Sequence, residues 1–411
     1  MAQPTVFEQI VDYANRADPW PLYRELRKTP VTREPDGTYV VTRYRDIIAL
    51  LHDPRTTSRP VSWGILGQDP PEHDRARQAL MRHYGPPQAP GRIESMRDDI
   101  GDVVARLIDS LDEHEADLVD EFAYPLPVTV ICQLLGVPVE DEPRFHAWAS
   151  AIIDNVGIAV DEPEEMARKR EDAIAQMNRY LGALADSRRA EPGDDLLSAL
   201  VTDDRTWESM SREELESNAS LLLFAGHETT VNLIASGILT LLRHPALLGR
   251  LRAEPGFAVP VVEELLRYEP PVHFLRRTAL DKIDVAGVTI PAGATMRLAL
   301  AAGSRDPEHV HDPDEFIPDR HDIARASVRE QRESQHLGFG GGIHFCFGAP
   351  LARLEAQTAL AALAARLDNP RLVADPPPYR PSAVLHGPRH LRVTFDGVGP
   401  APGREGGENK S

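Results

Sequence analysis

Cysteine is scarce in this 411-residue chain: there are two, Cys132 and Cys346. They lie far apart in unlike surroundings, one in an apolar run and one in a glycine-rich loop. That excludes a disulfide framework and predicts a reducing, cytoplasmic setting. Positive charge is also in deficit, since 45 Lys and Arg against 64 Asp and Glu leave a net charge of −19. Such a chain lacks the basic surface that meets phosphates, so no nucleic-acid role is expected. Nor does the charge favour docking on an anionic membrane; it mainly confers solubility. No uninterrupted apolar run is long enough to span a bilayer, and Met1–Ile10 has neither the basic start nor the apolar stretch of a secretory leader. The expectation is no membrane association. No internal repeat or clear linker breaks the sequence.

What is present reads as a mostly helical body with small sheets near its ends. A chain this long can enclose a cofactor and an apolar substrate. Residues 1–396 read as a single domain, and the Gly-, Pro- and charge-rich stretch 397–411 as a disordered tail. Thr38–Thr42 alternates like a strand after a Pro-Asp-Gly turn. Most of 90–256 reads as helix, with apolar spacing clearest over Asp98–Leu111 and Met166–Leu184. Ser211 and Glu214 form a capping-box pattern that opens a helix to about Arg243. Its centre, Leu221-Leu-Leu-Phe-Ala225, is apolar enough that the helix must run through the interior. After Pro270 a hairpin over Ile283–Gly293 and a strand over Thr295–Leu300 are expected. A glycine-rich loop then precedes a last long helix, about Ala349 to Leu367, rich in Ala and Leu.

The loop Leu337-Gly-Phe-Gly-Gly-Gly-Ile-His-Phe-Cys-Phe-Gly348 carries the functional argument. A thiolate that binds a metal needs a backbone wrapped closely around sulfur, amides aimed at it, and shelter from water. Glycines 340, 341, 342 and 348 allow the wrapping. The positive end of the following helix favours the thiolate, and Phe339 and Phe345 can shield it. Cys132, inside the apolar run Val128–Leu135, reads as core.

The order Phe339, Gly340, His344, Cys346, Gly348 resembles the cysteine-loop signature of the cytochrome P450 family. The resemblance extends over roughly residues 18–395 and is closest to the soluble bacterial branch. It implies the P450 fold, with haem b held between the long central helix and the cysteine-loop helix and Cys346 as axial ligand to the iron. Axial thiolate favours O–O cleavage. The implied enzyme is an oxidoreductase, a monooxygenase that inserts one atom of O2 into a small apolar organic substrate by hydroxylation or epoxidation. Secondary metabolites, steroids, terpenoids, fatty acids and aromatics are all possible substrates.

Ala225-Gly-His-Glu-Thr-Thr230 is similar to the family's oxygen-binding stretch. The resemblance implies a locally opened helix at Ala225 and Gly226 that leaves a carbonyl unpaired, and catalytic roles for Glu228 in proton relay and Thr229 in hydrogen bonding to oxygen. His227 reads as structural or pocket-lining. Glu264-x-x-Arg267, joined by Arg320, resembles the family's structural ion-pair cluster. His73 and Arg77, four apart on one helical face, with Arg277 and His344, match the family's ligands to the haem carboxylates. Substrate is expected against Leu222, Ala225 and Gly226, walled by Val272, Phe274 and Leu275 and by the turn at Val384 and Leu385. The short connection between Arg55 and Asp69 departs from the family pattern and predicts a reduced pocket roof, without an ordered helix between Pro60 and Gln68.

Electrons are expected from NAD(P)H through a separate ferredoxin and ferredoxin reductase. Arg75, Arg82 and Arg353 read either as a docking patch for that donor or as scattered solvated arginines. Three other readings stay open: a peroxygenase using hydrogen peroxide, a haem-binding sensor without turnover, and a cysteine-nucleophile hydrolase.

Overall fold

The computed structural model describes residues 3–59, 63–85, 89–154, 164–320 and 336–400. Its axis is the helix Arg212–Arg243. Both halves of the capping box form: Ser211 Oγ accepts from the Glu214 amide and the Glu214 carboxylate accepts from the Ser211 amide. From Leu215 to Leu241 this helix is buried around most of its circumference, which only a core position allows. By length and apolarity it could cross a membrane, but 78% of its most apolar window lies inside the protein. The helices Pro125–Leu135, Glu164–Ala190, Ala258–Tyr268 and Ala349–Arg366 pack against it. Cys132, on the first of these, is buried, and burial pushes its thiol up to about 12.

The largest sheet has five strands in the order Val31–Arg33, Tyr39–Val41, Thr295–Ala299, Phe274–Ala279, Thr56–Thr57. Tyr39–Val41 runs parallel to Met296–Leu298, and the other pairings are antiparallel. Along Phe274–Ala279 successive side chains take opposite faces, so neighbouring residues of that strand serve different cores. The expected hairpin forms between Ile283–Val285 and Val288–Ile290.

The chain end differs from expectation. Gly397–Val398 is not the start of a disordered tail: it pairs antiparallel with Leu367–Asp368, and the Gly399 amide donates to the Arg366 carbonyl at 2.7 Å. The rest of the expected tail, from 401 on, lies outside the described residues.

Candidate active site

The cysteine loop is tied to neighbouring helices by hydrogen bonds from both its ends. Its start is fixed by the Leu337 amide donating to Ser304 Oγ at 3.1 Å. Its turn is closed by Gly340 N to Leu337 O at 2.8 Å and Cys346 N to Phe339 O at 3.1 Å. Two of the four glycines are needed for conformation: Gly340 and Gly342 have φ of +67° and +65°. At Gly342 a Cβ would also lie 1.9 Å from the Leu51 carbonyl oxygen. Gly341 and Gly348 adopt ordinary backbone angles, contrary to the sequence reading. A Cβ at Gly348 would sit at ordinary contact distance, 3.5 Å from the Tyr84 hydroxyl and 3.6 Å from Cys346 Sγ.

Cys346 is solvent-accessible, yet protein atoms surround it as densely as in the core. The two observations agree if the thiol lines an internal cleft. Burial pushes the thiol up, opposed by the backbone amides of Gly348 and Ala349 and by the charges of Arg77 and Arg353. Burial outweighs these groups, so the thiol is favoured over the thiolate until a metal cation is bound. The helix Ala349–Arg366 starts directly behind the loop.

That helix is anchored by a contact the sequence reading did not foresee. Glu263 receives Arg353 Nε at 2.5 Å and a second Arg353 nitrogen at 2.9 Å, and lies 3.2 Å from His336 Nε2. Burial alone would raise this carboxyl, but Arg353 and His336 outweigh it and hold it well below the usual range. One residue on, Glu264 and Arg267 form a fully buried bidentate pair at 2.7 and 2.9 Å. Arg320 Nε and the Ile317 amide both reach Glu264 Oε1 at 2.9 Å. Adjacent residues of one helix therefore hold the cysteine-loop helix on one side and the 313–320 segment on the other.

The side chains His73, Arg77, Arg277 and His344 converge beside the loop. The rings of His73 and His344 are 4.7 Å apart. Arg77 donates to the Phe345 carbonyl at 2.7 Å and Arg277 to the Arg276 carbonyl at 2.8 Å. Among the described residues neither guanidinium makes an ion pair. Burial lowers both, Arg277 to about 10, with Asp69 only partly offsetting it. Burial also pushes His344 down to about 3, aided by the charges of Arg277, His73 and Arg77. His73 Nε2 is buried without a hydrogen-bond partner. Buried cations without counter-charge are costly. This set fits a dianion, and the two carboxylates of haem meet that requirement beside a cysteine ligand.

Across the cleft, the central helix is unbroken through Ala225 and Gly226, so the expected local opening is not seen. Thr229 Oγ1 donates to the Ala225 carbonyl at 3.0 Å and Thr230 Oγ1 to the Gly226 carbonyl at 3.2 Å. These bonds occupy the carbonyls that an opening would free. Glu228 is buried between His227, 3.4 Å from Oε1, and Arg380, 3.5 Å from Oε2. Burial would raise this carboxyl, but these neighbours and the charge of His146 bring it below its usual value. At such distances the contacts are electrostatic more than hydrogen-bonded.

Of the pocket residues, Val272 bridges to Leu385, and the His273 amide donates to the Val384 carbonyl at 2.9 Å. Leu275 faces the cysteine loop, 3.8 Å from where a Gly340 Cβ would stand. Leu222 is buried on the central helix. Phe274 is not a wall residue. Strand alternation sends it the other way, onto Phe7 with centroids 5.5 Å apart and onto Tyr23. The reduced roof is also corrected. An ordered 3-10 turn, Gly64–Gly67, sits between Pro60 and Gln68 and is tied to the central helix. Trp63 Nε1 donates to Ser220 Oγ at 2.8 Å and its ring packs tilted against Phe224, and the amides of Gly64 and Ile65 bond Ser217 and Asn218. Residues 60–62 lie outside the described residues. Each arginine of the possible docking patch has an acidic neighbour: Arg75 is bound to Glu214, Arg82 stands 3.9 Å from Asp203, and Arg353 is held by Glu263.

Comparison with known proteins agrees with this geometry. The family described as Cytochrome P450 matches residues 52–395. The chain is 38% identical over 406 residues to cytochrome P450 monooxygenase PikC of Streptomyces venezuelae, covering 92% of this chain and 91% of that protein. It is 38% identical over 397 residues to the mycinamicin IV hydroxylase/epoxidase of Micromonospora griseorubida, covering 91% and 94%. The ligand-free crystal structure of Mycobacterium smegmatis CYP164A2 superposes with a TM-score of 0.84 at 38% identity, covering 95% of this chain and 99% of that one. A helical body built around a cysteine loop and a buried central helix, with these relatives, places the chain in the cytochrome P450 family. Within that family it is a bacterial-type monooxygenase, an oxidoreductase that uses haem and O2.

Proposed function

We propose that this enzyme hydroxylates or epoxidises an apolar secondary metabolite, with haem b as its cofactor and electrons passed from NAD(P)H by a ferredoxin and its reductase. The observation that carries the reading is Cys346 with two guanidiniums beside it that make no ion pair among the described residues, Arg277 buried and Arg77 half-buried. Cys346 would ligate the iron, and His73, Arg77, Arg277 and His344 would hold the carboxylates. Phe339 and Phe345, with ring centroids 6.3 Å apart, would shield the sulfur. When bound, haem supplies the oxygen-activating chemistry. The chain's own residues bind, orient and protonate. Glu228, a carboxylate at rest, would pass a proton on to the cleft, and the Thr229 hydroxyl can exchange its Ala225 acceptor for a ligand in the groove. Leu222, Ala225, Gly226, Val272, Leu275, Val384 and Leu385 would contact the substrate. The substrate class is supported by the hydroxylase/epoxidase relative. Both cysteines are unpaired, in keeping with a cytoplasmic protein.

The test is the carbon monoxide adduct of the reduced holoprotein. A red-shifted Soret band, lost in Cys346→Ser, is expected; an unshifted band in intact protein overturns the assignment. Titrating the ferric protein with a panel of macrolides, terpenoids, steroids and fatty acids then identifies the substrate by its spin-state change. Turnover with peroxide but not with reduced ferredoxin would favour a peroxygenase.

A further inference from the structure

The strand contact behind the proposed substrate wall is very small. Val272 and Leu385 form an isolated bridge flanked by two hydrogen bonds. The His273 amide donates to the Val384 carbonyl and the His386 amide to the Pro271 carbonyl, both at 2.9 Å. Two backbone bonds alone hold a strand pair weakly. What backs this bridge is a ring stack. His273 and His386 are diagonal neighbours across it, and their imidazoles stand 4.2 Å apart with planes 21° from parallel. Both side chains are fully buried. His273 is fixed from the N-terminal side: its Nδ1 stands 3.0 Å from the hydroxyl of Tyr23, on the helix Trp20–Leu26. Burial holds this imidazole well below its ordinary range, so it stays neutral. His386 is held differently. Neither of its ring nitrogens has a hydrogen-bond partner, and Nε2 lies 3.5 Å from a Glu269 carboxylate oxygen. Its remaining ring contacts are Tyr379 at 5.0 Å and Trp20 at 6.2 Å. The position therefore uses a flat ring more than it uses a nitrogen. One residue on, Gly387 abuts the central helix, where a Cβ would lie 2.4 Å from Asn232 Oδ1. The turn is clamped between that helix and the stack.

We propose that the His273–His386 stack positions the substrate wall, fixing where Leu385 stands against Val272 and so how tightly a bulky ligand is gripped in the cleft. His386 acts through Leu385 and is a positioning residue. The inference rests on the monooxygenase reading above and on Val272 and Leu385 as wall residues. Paired rings at this distance contribute beyond the area they bury. The stack also ties the wall to the N-terminal helix, because Tyr23 bonds His273 while the Trp20 ring lies 5.6 Å from it. Arg305 sits over the Trp20 ring at 3.5 Å and pairs with Glu269 at 3.2 Å, which closes the ring of contacts behind the bridge.

The test compares two variants in full-length holoprotein: His386→Phe, which keeps a flat ring without nitrogens, and His386→Ala, which removes the ring. Amide hydrogen–deuterium exchange in the peptides that hold residues 273 and 386 reads the bridge directly. His386→Ala is expected to raise exchange there by about 3- to 10-fold, the contribution of one ring pair, and His386→Phe to leave it within about 2-fold of wild type. If the Phe variant exchanges as fast as the Ala variant, the Glu269 contact and not the ring holds the turn, and the stack is overturned. The wall is read with two probes that bind haem iron through an imidazole nitrogen. Imidazole itself fills little of the cleft, whereas the chlorinated phenyl rings of econazole reach its sides. In His386→Ala the dissociation constant of econazole is expected to rise about 3- to 10-fold relative to that of imidazole. Equal shifts for the two probes, or none for either, overturn wall positioning. Absence of the red-shifted carbon monoxide band in intact wild-type protein would instead indict the monooxygenase reading, and the exchange rates report on the stack in either case.

Discussion

Glu263 and Arg353 meet through two hydrogen bonds at 2.5 and 2.9 Å, and this pair connects the helix Ala258–Tyr268 to the helix that starts behind Cys346. The Glu263 carboxyl is held below its ordinary value of 4.5 in the folded protein. A group with a lowered folded value contributes stability that is present above its unfolded value and is lost as pH falls through the folded one. Wild-type stability is therefore expected to decline as pH falls below about 4.5. Glu263→Gln should lose about 3 kcal/mol at neutral pH by leaving Arg353 unpaired, and its stability should then fall less steeply in acid. Urea denaturation across pH checks both; parallel acid limbs for wild type and variant would contradict the assignment.

Glu264, Arg267 and Arg320 differ in burial, and their variants should differ accordingly. Arg267→Ala leaves a carboxylate in a fully buried site and is expected to cost about 3–5 kcal/mol. Arg320, at 12% side-chain exposure, can be replaced partly by water, so Arg320→Ala should cost about half as much. Equal losses in denaturant midpoint would show that the cluster does not act through burial.

Arg277 has no counter-ion among the described residues, so its removal should relieve the empty pocket while weakening haem retention. Arg277→Leu is expected to raise the thermal midpoint of haem-free protein. It should also speed haem transfer to apomyoglobin by about 10- to 100-fold, the effect of one charged hydrogen bond of about 1.5–3 kcal/mol. Slower or unchanged transfer would remove Arg277 from the cofactor set.

Gly342 faces the Leu51 carbonyl so closely that no side chain fits without moving backbone. Gly342→Ala should abolish haem binding, since both the left-handed φ and the clash act on the loop that carries the cysteine. Gly341→Ala is expected to be milder, because its Cβ would meet only the flexible ends of Leu51 and Ile48 at 3.3 and 3.4 Å. The two are compared by haem content and Soret intensity after identical purification.

The helices were legible because their signals are local. The Ser211–Glu214 box and the apolar run to Ala225 specify the central helix within about a residue. The Glu264–Arg267–Arg320 cluster was legible through spacing and resemblance. What was not legible depended on contacts distant in sequence. Glu263 carries no local signal of its role; Arg353 and His336 come to it from 90 and 73 residues away. Arg380 sits in an irregular segment with no local pattern that announces its approach to Glu228. Phe274 was misplaced because its strand's facing is set by which neighbour it pairs with, and the pairing with Thr295–Ala299 turns its side chain toward the N-terminal helices. The 3-10 turn after Trp63 is held by Ser217, Asn218 and Ser220, so its order comes from the central helix and not from its own sequence.

The two unpaired guanidiniums beside Cys346 also bear on how the chain fares in a cell. Binding of a dianion between those charges would shift the folding balance toward the folded chain by mass action. Cells that translate this protein faster than they make haem would accumulate copies that open more often and fall to proteases sooner. Supply of the small molecule would then set how much enzyme persists.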